Sequence, residues 1–142
     1  MPEQLALSRA FAASAETLWA QFTDPARLAV WFGPAAFTVP FESVVVELWE
    51  GGDWSLSMLE TATGDRYPVR GTIRSFEPGR ALEIELDSET GGAHLRLTFS
   101  DGLVVLDQGP FSADERDRTA AGWELSFQKL DAVLDATNRL TA

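Results

Sequence analysis

The sequence predicts an α+β fold in a single domain, residues 1–142: a curved antiparallel sheet of about six or seven strands around a long C-terminal helix, with two short helices after strand 1. Three observations carry this. Ser112 to Leu140 has a clear helical period, with Trp123, Phe127, Leu130 and Leu134 in one stripe and Ser126 and Val133 at its edge. Phe37 to Phe111 is instead period two, interrupted by turn residues. Each predicted strand has one apolar and one polar face, which is the pattern of an antiparallel sheet with one side in water.

Taken in order, Gln4 to Phe11 alternates, with Leu5, Leu7 and Phe11 sharing a parity that Arg9 interrupts. Ser14 is an N-cap for a short helix over Ala15 to Phe22, carrying Leu18, Trp19 and Phe22 at helical spacing. Asp24-Pro25 starts a second helix, with Asp at N-cap and Pro at N1, and Gly33-Pro34 stops it. Phe37 to Pro40 and Ser43 to Leu48 read as short strands, followed by a turn at Glu50 to Asp53. Trp54 to Glu60 places Trp54, Leu56 and Met58 on one face. Arg66 to Phe76 sets Tyr67, Val69, Gly71 and Ile73 against Arg66, Arg70, Thr72 and Arg74. Pro78-Gly79 turns the chain into Ala81 to Asp87, where Leu82, Ile84 and Leu86 oppose Glu83, Glu85 and Asp87. A turn at Thr90-Gly91-Gly92 leads to His94 to Ser100, and Asp101-Gly102 is a two-residue hairpin signal. Leu103 to Phe111 closes the series; its run Leu103 to Leu106 is continuously apolar, so its parity is ambiguous, and Gly109-Pro110 is a candidate bend. Ser112 and Glu115 then have capping-box spacing, and a helix over the remaining length is roughly 35–40 Å long. Gly122 marks a possible break of this helix between Arg118 and Gly122.

The composition excludes several classes. A formal net charge of -11 argues against nucleic acid and anionic membranes as partners. No cysteine is present, so disulfides, thiolate chemistry and cysteine-held zinc are absent, in keeping with a cytoplasmic chain. No apolar run reaches the roughly 20 residues that span a bilayer, and the N-terminus lacks the pattern of a signal peptide.

Few residues suggest chemistry. His94 is the single histidine, its parity faces solvent, and no triad or metal set assembles around it. Glu60 continues the face of Trp54, Leu56 and Met58; it reads as a strand-end residue in water, with a base at a cavity mouth as the sharper alternative. Gly51-Gly52 is not a phosphate loop, because no Lys-Ser/Thr follows. Arg70 and Arg74 are expected to pair with Glu83 and Glu85 across a hairpin. Gly71, in mid-strand, reads as a bulge or bend that lets the sheet curl. Trp123 and Phe127 are either core under the sheet or the wall of a cavity left between sheet and helix. Tyr67 is a candidate polar anchor for such a cavity. No cofactor, metal or catalytic set is expected.

The chain resembles a known family. The stretches Thr23–Pro34 (TDPARLAVWFGP), Gly51–Met58 (GGDWSLSM), Tyr67–Ile73 (YPVRGTI), Pro78–Leu82 (PGRAL) and Ala121–Leu130 (AGWELSFQKL) are similar, in this order, to START-like (SRPBCC) domains. The resemblance is to the small bacterial members of the family named after the C-terminal domain of the heat-shock chaperone ATPase activator. It covers essentially the whole chain. It implies the helix-grip, birch-pollen-allergen-like fold, in which an apolar pocket lies between sheet and long helix. The ligand-contacting residues it implies are Trp31, Trp54, Leu56, Met58, Tyr67 and Val69, with Leu97, Phe99, Trp123, Phe127 and Leu130. Two departures stand out: Trp31-Phe32 replaces the two tryptophans frequent before Gly-Pro, and Thr119 stands near where many members carry a histidine. The chaperone activator has an additional N-terminal domain, for which this chain has no room.

The expectation is therefore a binding domain for a small apolar or lipid-like ligand. The alternatives are a cyclase- or hydrolase-like enzyme in the same cavity and a chaperone-activator-like interaction protein. A homodimer through a strand edge or the Trp31-Phe32 corner is a further expectation.

Overall fold

The computed structural model describes residues 3–87 and 93–141. The element order is β1 (Glu3–Ala10), α1 (Ala15–Thr23), α2 (Pro25–Trp31), β2 (Phe37–Thr38), a 3-10 turn (Phe41–Ser43), β3 (Val45–Val46), β4 (Asp53–Glu60), β5 (Arg66–Glu77), β6 (Ala81–Leu86), β7 (Ala93–Ser100), β8 (Leu103–Phe111) and α3 (Ala113–Thr141). Among the described residues the strands form one eight-stranded antiparallel sheet, in the order β1-β8-β7-β6-β5-β4-β2, with β3 also paired to β4. The sheet is curved and unclosed, and with α3 it forms the helix-grip arrangement that the family resemblance implies. The region Phe37 to Leu48 yields only two two-residue strands, because Phe41–Ser43 turns the backbone between them. The Thr90-Gly91-Gly92 turn lies outside the described residues.

The caps form where the residue types require them. Ser14 accepts from Thr17 N–H, and Asp24 accepts from Ala26 N–H with Pro25 at the first helical position. At α3 the Ser112 hydroxyl accepts from Glu115 N–H at 3.2 Å and meets the Glu115 carboxylate at 3.0 Å. The ambiguous parity of β8 resolves with Val104, Leu106 and Gln108 buried. Arg9, which breaks the apolar parity of β1, reaches α3 and pairs with Asp131 at 2.6 Å and Glu124 at 3.3 Å. Asp131 holds the Arg9 guanidinium above its ordinary pKa. The start of α3 is tied to β1 as well, by Arg116 and Glu3 at 2.8 Å.

Three local expectations are corrected. The C-terminal helix is one piece from Ala113 to Thr141, and a Cβ at Gly122 would meet nothing within 4 Å, so Gly122 marks neither a break nor a close packing contact. Gly71 keeps regular pairing to Trp54 and Leu86; the register shift comes later, between Ile73 and Ser75. What requires glycine at 71 is crowding, since a Cβ there would lie 2.6 Å from Ile84 Cγ2 and 3.0 Å from the Trp54 carbonyl oxygen. On the outer face, Arg74 pairs with Glu85 at 3.8 Å, but Glu83 is held by the Ser75 hydroxyl, His94 and Arg96.

The core is aromatic where α1 and α2 enter it. Phe22 meets Trp31 at 5.0 Å and Phe99 at 5.4 Å between ring centroids. Phe32 lies against Trp54 at 5.7 Å and Trp123 at 5.6 Å, and Phe127 against Phe11 at 5.3 Å. Trp31 and Phe32 are buried, so that corner is part of the core. Leu130 and Leu134 extend the buried face of α3 beyond Phe127.

Candidate ligand-binding cleft

The aromatic cluster fills the space between sheet and α3 at one end only. Toward the N-terminal half of α3 a cleft of about 260 Å³ remains. Its helical wall is Thr119, Gly122, Trp123 and Ser126, at the spacing of one helix face. Its floor is Met58 of β4, Val69 of β5 and Leu86 of β6, with Gln108 of β8. Phe32, Gly33 and Pro34, the corner after α2, close one side. Gly33 has φ +93°, a conformation open to glycine, and this turns the chain at the rim. Gly122 contributes no side chain, so the helix surface there recedes from the cleft.

The corner is fastened to the helix. Lys129 Nζ donates to the Gly33 carbonyl at 3.0 Å and to the Phe37 carbonyl at 3.1 Å. Burial pushes this ammonium below its ordinary pKa. On the opposite wall Trp123 Nε1 donates to Gln108 Oε1 at 2.8 Å. Among the described residues no acidic or basic side chain lines the cleft, and the polar groups they bring to it are the Gln108 amide and the hydroxyls of Thr119 and Ser126.

Of the residues expected to contact a ligand, Met58, Val69 and Trp123 line the cleft. Trp31, Trp54, Leu56, Leu97, Phe99, Phe127 and Leu130 are buried in the core beside it. Trp31 and Trp54 have their indole N–H groups satisfied there, by the Gln21 carbonyl at 3.1 Å and the Phe22 carbonyl at 2.9 Å. Tyr67 is 44% exposed at the start of β5, edge-on to Phe37 at 5.7 Å. Its phenol is held above the usual range chiefly by the Glu60 carboxylate. Glu60 therefore neighbours Tyr67 and does not line the cleft.

Sequence reasoning missed Gln108, Ser126 and Leu86 as cleft residues. Gln108 had a readable signal, being a polar side chain at the parity of Val104 and Leu106. Ser126 had one too, a small hydroxyl inside the aromatic stripe of α3. Among the described residues, no group of three or more His, Asp or Glu side chains is placed to share a metal ion. Nor is any described helix long and apolar enough to cross a membrane.

The family model described as "Activator of Hsp90 ATPase homolog 1-like protein" matches residues 12–135. The chain belongs to this family. Solved structures agree with the fold. The AHSA1 protein from Silicibacter pomeroyi is 26% identical, with a TM-score of 0.81 over 95% of this chain and 99% of that one. A protein from Chromobacterium violaceum is 21% identical, with a TM-score of 0.82 over 94% and 98% of the two chains. One from Rhodobacter sphaeroides is 23% identical, with a TM-score of 0.80 over 94% and 93%. At these last two identities the likeness is one of fold. No protein of curated function matches the chain. This family member keeps the helix-grip architecture while carrying Thr119, Gly122 and Ser126 on the wall of its cleft.

Proposed function

We propose that this protein binds a small apolar ligand in the cleft between its sheet and the N-terminal half of α3. The observation that carries the reading is an unfilled space of about 260 Å³ whose lining, among the described residues, is apolar apart from one amide and two hydroxyls. Ligand sites of about 300–1,000 Å³ are typically built this way, and this one lies just below that range. The described residues of the lining include no titratable side chain, which weighs against the cyclase- or hydrolase-like alternative, because proton abstraction and nucleophile activation both need a base within reach. We propose a cytoplasmic location for the protein, in keeping with the cysteine-free sequence. Family membership supports a second reading, docking of the outer surface on a chaperone ATPase; stimulation of that ATPase by the purified protein tests it.

The cleft is tested with the neutral probe N-phenyl-1-naphthylamine, followed by its fluorescence. The wild type is expected to bind it saturably, and Ser126→Leu, which fills the cleft, to weaken binding at least about tenfold. Equal binding by both proteins would locate the probe elsewhere and sink the reading.

A further inference from the structure

Gln108 is only 6% exposed, yet its side chain lines the cleft. Trp123 decides which way its amide points. An indole N–H can only donate, so the Gln108 atom 2.8 Å from it is the carbonyl oxygen. The NH2 end is thereby turned away from the indole. It makes no hydrogen bond among the described residues. Ser126, one helical turn from Trp123 and 4% exposed, brings a second group to the same cleft, and its hydroxyl makes no hydrogen bond among the described residues. Such donors in an apolar surround are unfavourable until an acceptor meets them.

The charge of the acceptor is restricted as well. Among the described residues no cation lines the cleft, and the chain carries a net charge of -11. A carboxylate would leave water for neutral donors only, against the field of the whole protein. A hydrocarbon would leave the Gln108 N–H groups without a partner. We infer that the cleft selects a neutral apolar molecule bearing a carbonyl oxygen, which accepts from the Gln108 amide N–H with Ser126 as the auxiliary donor. This rests on the proposed ligand-binding function and adds to it the class of ligand.

The test uses three probes of one shape: 2-acetylnaphthalene, 2-isopropenylnaphthalene and 2-naphthoate. Dissociation constants are measured at pH 8 by displacement of N-phenyl-1-naphthylamine. The wild type is expected to prefer the ketone over the hydrocarbon by roughly three- to tenfold, the worth of one neutral hydrogen bond, and to bind the carboxylate more weakly than either. Gln108→Glu keeps an acceptor for Trp123 while replacing the NH2 donor by oxygen. Gln108→Met removes the donor without adding charge. In both, once thermal unfolding shows a folded protein, the ketone-to-hydrocarbon ratio is expected to fall to within about twofold of unity or to invert. A wild type indifferent to the carbonyl, a preference that survives both variants, or tightest binding of 2-naphthoate overturns the inference and leaves the apolar cleft standing. Failure of both neutral probes to bind overturns the inference and the proposed function together.

Discussion

The indole N–H of Trp54, on β4, lies 2.9 Å from the carbonyl oxygen of Phe22 in the last turn of α1. Trp31 reaches the preceding carbonyl, that of Gln21, at 3.1 Å. The last carbonyls of a helix have no partner within it, and here two buried indoles supply the donors. These bonds seat α1 and α2 on the sheet and, through Phe32, set one side of the cleft. Trp54→Phe removes a donor and leaves a buried carbonyl unpaired. It is expected to cost about 2–4 kcal/mol in urea unfolding. A loss below about 0.5 kcal/mol would deny the bond this role.

Two glycines make opposite predictions. Gly71→Ala drives a Cβ to 2.6 Å from Ile84 Cγ2 in the middle of the sheet. It is expected to destabilise by about 1–3 kcal/mol through overpacking. Gly122→Ala meets nothing within 4 Å and sits inside α3, so helix propensity alone predicts a gain of about 0.8–1 kcal/mol. Calorimetric melting points moving apart in these directions check both.

Lys129 predicts an alkaline signature. Burial lowers its pKa in the folded chain from the ordinary 10.5. Between that lowered value and 10.5 the unfolded chain holds the extra proton, so the group's contribution to stability rises with pH across this window. Lys129→Met lacks the effect. The unfolding free energy of the wild type minus that of the variant should therefore climb as pH approaches 10.5, and a difference that stays flat would contradict the burial of the charge.

Glu83 predicts the acid counterpart. The Ser75 hydroxyl lowers its pKa most, burial opposes this, and the hydrogen bond and charge of His94 and the charge of Arg96 lower it further. A lowered carboxylate pKa stabilises the fold above the ordinary value of 4.5, and this stability is lost as pH falls through the folded value. Because the group is partly in water, Glu83→Gln is expected to cost no more than about 0.5–1 kcal/mol at pH 7. The cost should vanish in acid, as read from unfolding curves at pH 7 and about pH 2.

Much of this fold was legible in the sequence, because a period of two or of 3.6 reports which side of an element is turned inward. Leu82, Ile84 and Leu86 on β6, or Trp123, Phe127 and Leu130 on α3, declare their faces without reference to any neighbour. The caps at Ser14, Asp24 and Ser112 are local chemistry and were equally readable.

Periodicity does not report the distance to whatever lies across an inward face. Trp123 and Phe127 share one stripe, yet Phe127 is packed against Phe11 while Trp123 borders open space. The difference comes from α1 and α2: Trp31 packs under Phe127, whereas Phe32 meets Trp123 only at one side of the cleft and leaves the space beyond it unfilled. Only the folded chain brings Phe22, Trp31 and Phe32 to these positions, and only there does Trp123 meet Gln108, fifteen residues away in sequence. The elements and their faces are properties of short stretches; the cleft is a volume left over when stretches far apart in sequence are packed together, and the direction of its one amide is decided by a hydrogen bond between two of them.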